Sequence, residues 1–309
     1  MEIFREPRPD STTTLTTLAC TLNKGQRNKM SLSVEKLFNV KGKVALVTGG
    51  SQGIGKMIAT GLVQNGVKVY ISARKKAECD KTAEELTNMG PGTCIAIPAD
   101  LQDLNAVKRL VEEVSRNEKV LHILVNNAGA AWGDGVDSYP DAAFTKLLTL
   151  NVQRVFTLTQ ALLPLLREAA KQGGKGERGW NDPARIINIG SVEGERVPRG
   201  ETYAYSASKA AVAHLSRHLA GRLGGEGITS NTLACGPFQS KMMAETLRTQ
   251  GDSIVSNVPL GRIGTPDDVA GAVLYLSSRA GAYISGATIA VDGGSLVNFR
   301  NGQNFAAKL

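Results

Sequence analysis

From Lys43 onward, short apolar runs alternate with longer stretches of helical period. The runs are "KVALVTGG" (43–50), "VKVYISAR" (67–74), "TCIAIPAD" (93–100), "LHILVNNAG" (121–129), "ARIINIGS" (184–191), "GITSNTLA" (227–234) and "ATIAVDGG" (287–294). Each is nearly continuous in β-branched or apolar residues, as a strand covered on both faces should be. Residues 53–65, 76–88, 103–116, 141–171, 203–223 and 266–278 read as helices. This alternation predicts one α/β domain, a doubly wound seven-stranded parallel sheet with helices on both faces. Right-handed crossovers then place a ligand at the carboxyl ends of the strands. Residues 1–38 lack apolar periodicity and predict a disordered extension ahead of a domain at 39–309, with Met30 an alternative start. The Gly-rich "KQGGKGERGWND" (171–182) predicts a polar loop after a long helix.

Composition narrows the function classes. The chain has 309 residues, 42% of them hydrophobic, 21% charged and only 5% aromatic. That is an ordinary globular balance, and so few aromatics argue against a base-stacking nucleic-acid surface. Of the formal +8 charge, residues 1–42 supply three through seven Lys/Arg against four Asp/Glu; no basic run marks the remainder. Cys20, Cys79, Cys94 and Cys235 form no CxxC pair, and His122, His214 and His218 lack neighbours at ligand spacing, so no metal site is expected. The thiols read as reduced and intracellular. No stretch reaches the ~18 apolar residues of a membrane span. Glu2, Glu6 and Asp10 interrupt what would otherwise resemble a transit peptide, and a cytoplasmic location is expected.

The chemistry begins at "TGGSQGIG" (48–55), between the first strand and the first helix. Gly49, Gly53 and Gly55 permit a tight turn and close approach to a pyrophosphate, with Ser51, Gln52 and Ile54 completing the loop. The helix start offers free N–H groups to the phosphates. This is the Rossmann arrangement. Where an acid at the end of the second strand would grip the ribose of NAD, the chain has Ala73 followed by Arg74 and Lys75. That substitution favours a 2′-phosphate, and so NADP(H). In "YAYSASK" (203–209), Tyr205 and Lys209 lie four apart on one helix face, whereas Tyr203 has Ala207 at that offset. A lysine beside a phenol, together with a positively charged oxidised nicotinamide, is expected to lower its pKa from ~10, giving a usable acid and base for a ketone–alcohol pair. Ser191, after the fifth strand, is placed to stabilise charge developing on the substrate oxygen.

Thr48–Gly55, "NNAG" (126–129), Asn151, Ser191 and Tyr205-x-x-x-Lys209 stand in the order seen in the short-chain dehydrogenase/reductase family, which the chain resembles over about residues 38–294. Within it, the "INIGSVEG" and "YAYSASKAA" blocks are most similar to 3-oxoacyl-carrier-protein reductases of the rhamnolipid type and their fungal relatives. The resemblance implies that Asp100 and Leu101 flank an adenine, and that Asn126, Asn127, Ala128 and Gly129 line the cofactor and steady the sheet. It further implies that Gly236, Phe238 and Ser240 lie beside the nicotinamide, and that Asn151 anchors a water relay through Lys209. Two departures stand out: "ACGPF" puts Cys235 where the family has proline, and fourteen residues separate Ser191 from Tyr205, about one more than common. A homo-oligomer, tetramer or dimer, built through 141–171, 203–223 and the C-terminal segment is also implied.

Substrate selection is expected in 130–140, 192–202 and a lid at 236–264, with Trp132, Val197, Tyr203, Phe238 and Met243 as an apolar pocket. The substrate class is a small ketone or alcohol. The alternative is a 3-oxoacyl thioester on an acyl carrier protein, received by Arg196, Arg199, Lys241 and Arg248 at the mouth. An inactive nucleotide-binding scaffold is disfavoured by the intact Ser191–Tyr205–Lys209–Asn151 set.

Overall fold

Seven parallel strands form the sheet: β1 (Val44–Thr48), β2 (Lys68–Ser72), β3 (Thr93–Ala96), β4 (Ile123–Asn126), β5 (Ala184–Ile189), β6 (Ile228–Cys235) and β7 (Thr288–Val291). Their order is β3-β2-β1-β4-β5-β6-β7, so the direction of winding reverses between β1 and β4. The crevice at that reversal is where open parallel sheets take their ligands. The computed structural model describes residues 32–298 apart from Arg178 and Arg199. The expectations placed on residues 1–31, Cys20 and Met30 included, and on Arg199 lie outside the described residues. Within the stretch read as an extension, Val34–Leu37 form one helical turn, and the Phe38 ring lies 6.4 Å from that of Tyr275.

Helices α1 (Gly53–Gln64), α2 (Lys76–Thr87), α3 (Leu104–Asn117), α4 (Asp141–Leu148), α5 (Arg154–Gly173), α6 (Tyr203–Leu223), α7 (Ala244–Ser256) and α8 (Pro266–Ser277) follow in chain order. The two-residue period of β1 shows how the core is divided. Ala45 and Val47 join Ile58, Leu62, Val273 and Leu276 from α1 and α8. Val44 and Leu46 join Leu110, Val114, Leu158 and Leu162 from α3 and α5. Every residue of β1 is therefore buried, and the strand reads as an unbroken apolar run.

Two expectations need correction. The single helix read over 141–171 is α4 and α5 joined by a π-helical turn at Thr149–Gln153, which carries Asn151. Wide turns of this kind are not encoded by apolar period and often mark functional positions. The supposed loop at 171–182 contains a small hairpin, Lys175–Gly176 against Gly179–Trp180. It is held by packing: the Trp180 ring lies where a Cβ on Gly227 would come within 2.5 Å, and Gly227 has φ +78.

At the amino edge of the sheet, Arg185 is fully buried. Its Nε donates to the Leu276 carbonyl (2.8 Å) and Nη2 to Ser278 O and Asp182 Oδ1 (both 2.9 Å). Lys43 Nζ reaches the same carboxylate at 2.8 Å and Ser277 O at 3.0 Å. Two cations thus satisfy the carbonyls at the negative end of α8 while sharing one acid. Burial lowers the pKa of both Lys43 and Arg185, and Asp182 opposes that shift. Asp182→Ala would leave both cations in the interior unpaired, and should lower the unfolding free energy by roughly 3 kcal/mol in urea titrations.

Candidate active site

The glycine turn is shaped by contacts that exclude side chains. Gly49 (φ +65) and Gly53 (φ +53) adopt left-handed backbone. A Cβ on Gly55 would lie 2.2 Å from the Gly49 carbonyl oxygen, so α1 can approach β1 only with glycine there. The turn is locked from β4 by Asn127, whose Nδ2 donates to Thr48 O (2.8 Å) and Gly49 O (3.2 Å). Thr48 Oγ1 in return accepts from Asn127 N (2.9 Å) and Ala128 N (3.0 Å). No side chain caps α1 at Gln52, and its first turn holds no acid, leaving its N–H groups to meet an anion. Ile54 packs on the core, while the Ser51 carbonyl accepts from Thr82. Gly53 and Ser240 adjoin: a Cβ on the glycine would sit 3.0 Å from the serine Cβ.

The other residues expected around the cofactor divide. Arg74 is exposed at the end of β2 and has no ion-pair partner among the described residues, whereas Lys75 Nζ is held 2.9 Å from Glu78. Asp100 accepts from Gln102 N, and Leu101 is buried beside Ala128. Asn126 braces the sheet, donating to Asn188 Oδ1 (2.9 Å) and Thr159 Oγ1 (3.2 Å). Gly236 N donates to Val291 O at 3.0 Å, tying that loop to β7. Phe238 is buried with its ring against Gly264, and it also lines a cavity of about 460 Å³ together with Pro237, Pro259 and Gly264. The Cys235 thiol is also buried, and burial pushes it up to about 12, so it is a packed spectator.

Helix α6 presents small residues, Ala204, Ser208, Ala213 and Ser216, to the protein interior, which lets it lie close to the sheet. That approach delivers Tyr205, Lys209 and Ser191 to one place at the carboxyl edge of β5. The Ser191 hydroxyl lies close enough to Tyr205 to favour its phenolate form. Lys209 Nζ lies 5.5 Å from the Tyr205 ring centroid and donates to Ile189 O at 2.8 Å. Tyr203 points elsewhere, bonding Glu201 and packing edge-on against Tyr139 at 5.7 Å. Asn151 Oδ1 accepts from Ala130 N (3.0 Å), and its Nδ2 donates to Ala130 O (2.9 Å) and Ser208 Oγ (3.0 Å). The asparagine side chain therefore clamps the segment after β4, and none of these bonds goes to Lys209.

The electrostatics of the protein alone are set by burial. Lys209 does not acidify Tyr205 in the protein alone: burial dominates, and the phenol is pushed up to about 12 despite the nearby Ser191 hydroxyl. The same burial pulls Lys209 down to about 8. Both shifts disfavour charge in an enclosed site. At neutral pH the phenol therefore holds its proton firmly.

The expected apolar pocket is only partly assembled. Trp132 and Tyr203 flank Tyr139, whose hydroxyl donates to Trp132 O at 3.4 Å, but Val197 is 92% exposed. Met243 is half-buried at the start of α7, a helix with no buried residue. A cavity of about 290 Å³ opens between Ala130–Trp132 and Pro140–Leu147. Two of the described cations expected to form a basic rim are engaged: Arg196 donates to Ser295 O (2.6 Å) and Arg248 pairs with Glu245. Among the described residues no His/Cys/Asp/Glu cluster suits a metal, and no helix is long and apolar enough to cross a membrane.

A parallel sheet with a glycine turn at its winding reversal, and a serine–tyrosine–lysine group beside it, defines the dinucleotide-dependent oxidoreductase class. Known proteins bear this out. The family pattern described as Enoyl-(Acyl carrier protein) reductase matches residues 49–295. The rhamnolipids biosynthesis 3-oxoacyl-[acyl-carrier-protein] reductase of Pseudomonas aeruginosa is 43% identical over 261 residues, covering 83% of this chain and 97% of that protein. The short-chain dehydrogenase/reductase PhomF of Diaporthe leptostromiformis is 35% identical, over 86% of this chain and 95% of its own. A solved Pseudomonas aeruginosa RhlG/NADP active-site complex superposes with a TM-score of 0.78 at 42% identity, covering 84% of this chain and 99% of that one. The chain belongs to the short-chain dehydrogenase/reductase family.

Burial of Lys209 has a measurable stability signature. Its folded pKa, about 8, lies below the ordinary 10.5, so between those values the unfolded chain binds more protons and stability rises with pH. At neutral pH the buried ammonium costs on the order of 3 kcal/mol. Lys209→Met should therefore be no less stable than the parent at pH 7, and should lose the parent's gain between pH 8 and 10 in denaturant titrations.

Proposed function

We propose that the protein is an NADP(H)-dependent carbonyl reductase, interconverting a ketone and its secondary alcohol, with Tyr205 as the acid and base. The observation that carries this reading is the meeting of Ser191, Tyr205 and Lys209 at the sheet edge, beside the glycine turn. The turn fits a dinucleotide: Gly49 and Gly55 occupy positions where any Cβ would meet Asn127 or the Gly49 carbonyl. Arg74 is the residue for a 2′-phosphate, with Lys75 secondary because Glu78 shares its charge.

When bound, the nicotinamide supplies the hydride. The protein's part is proton management and charge stabilisation. Tyr205 gives its proton to the substrate oxygen as charge builds there, and Ser191 donates a hydrogen bond to the same atom. The raised phenol pKa suits reduction, because an alkoxide is a far stronger base than even this phenolate. Lys209, with a pKa near the working pH, is the adjacent group able to restore the proton. Asn151 holds the Ala130 backbone that adjoins the site. Alcohol oxidation needs the phenolate, and should rise with pH where reduction falls.

The carrier-protein thioester reading has one specific support, the 43% identical relative named as a 3-oxoacyl-[acyl-carrier-protein] reductase. A panel of free ketones, aldehydes, acyl thioesters and carrier-bound thioesters separates the two readings; a preference for the carrier-bound form that weakens with salt would favour the second. Assembly into a dimer or tetramer is part of the proposal, tested by sedimentation. Tyr205→Phe should abolish ketone turnover while NADPH binding, followed by fluorescence, persists; full turnover would remove the mechanism. Arg74→Ala should weaken NADPH at least about tenfold with little change for NADH, and equal losses would count against the phosphate assignment.

A further inference from the structure

Between Ser191 and α6 the chain reads "VEGERVPRGET", and its two ends are stitched together across the intervening loop. Ser191 ends the strand region and caps a single 3-10 turn, Val192–Gly194, by accepting from Glu193 N at 3.1 Å. Thr202 stands at the N-cap of α6, and its Oγ1 donates to Glu193 Oε2 at 2.6 Å. The turn lies directly on the helix that carries the reaction: a Cβ on Gly194 would be 2.7 Å from Lys209 C and Ala210 N. Glu193 thus uses its backbone to occupy a lone pair of Ser191, directing that hydroxyl's hydrogen outward. Its side chain meanwhile fixes the start of the helix that bears Tyr205.

Resting on the carbonyl-reductase reading above, we propose that Glu193 is a positioning residue. Clasped to Thr202, it holds the turn that Ser191 caps against the start of the helix bearing Tyr205, and so brings a carboxylate to the same corner of the site. The clasp closes the extra-long connection at its base.

The groups around the phenol bear on the charge effect. Ser191 from the end of β5 favours the phenolate, while Glu193 from the turn and the buried Cys235 thiol at the end of β6 oppose it. Lys209 on α6 faces the ring at 5.5 Å. Glu201, the nearest acid before α6, is directed to the Tyr203 hydroxyl. Glu193 is the carboxylate whose own backbone N–H holds the Ser191 hydroxyl.

Two variants separate charge from clasp. Glu193→Gln keeps an acceptor for Thr202 and removes the charge; Thr202→Val keeps the charge and removes the bond. Glu193→Gln should move the alkaline limb of alcohol oxidation to lower pH by roughly 0.5 to 1 unit. Thr202→Val should lower kcat severalfold while leaving that limb in place. An unmoved limb in Glu193→Gln overturns the charge role, and parent kcat in Thr202→Val overturns the clasp. If the parent turns over no alcohol or ketone, it is the functional reading that has failed. Ultraviolet titration of the phenolate, with Tyr205→Phe as blank, then decides the charge role by the same shift or its absence.

Discussion

The ammonium of Lys209 sits inside the protein and donates to one backbone carbonyl, that of Ile189 at the end of β5. Among the described residues no carboxylate pairs with it. For that bond to form, α6 must lie against the sheet at close range, which the small Ala204, Ser208, Ala213 and Ser216 on its inward face permit. Gly194 must also leave out a side chain, because the turn after Ser191 rests on the backbone at Lys209 and Ala210. Once these approaches are made, Tyr205 is carried to Ser191 by the helical repeat alone. The enclosure has an electrostatic consequence. Burial lowers the lysine and raises the tyrosine, so the two pKa values move apart from the ordinary near-coincidence at 10 to 10.5, to about 8 and about 12. The pair is left with a firmly held phenolic proton and a readily released ammonium proton, an arrangement suited to donating toward a substrate oxygen.

The two edges of the sheet handle buried charge differently. At the amino edge, Lys43 and Arg185 share Asp182 and also satisfy the last carbonyls of α8, so each cation has a partner of opposite sign. Removing the acid there costs stability, because desolvation is already spent. At the carboxyl edge, Lys209 has a carbonyl and no acid, so its charge is expensive at neutral pH. The first arrangement braces; the second holds a destabilised group where chemistry is done.

Much of this architecture was legible in the linear chain. The seven apolar runs are the seven sheet strands, trimmed by a few residues at their ends. Strand and helix periods depend on residues within one or two turns of each other, and nothing distant is needed to read them. The glycine turn and the Tyr205–Lys209 spacing were equally plain, since both are local geometries.

What the chain could not announce lies in contacts between distant residues. The phenol's environment is one case: spacing shows that a lysine is near, but only burial decides that desolvation outweighs it. Phe238 is another, apolar in sequence, whose ring in the fold both packs against Gly264 and lines a cavity. Arg196 and Arg248 read as part of a free basic rim, yet Ser295 and Glu245 engage them. The π turn at Asn151 and the Glu193–Thr202 clasp likewise left no periodic trace. Sequence determined the elements and the order of the reactive groups, because these follow from local backbone and side-chain preference. Tertiary structure decided which groups are charged, paired or free, because solvent exclusion and partner choice are properties of the folded interior.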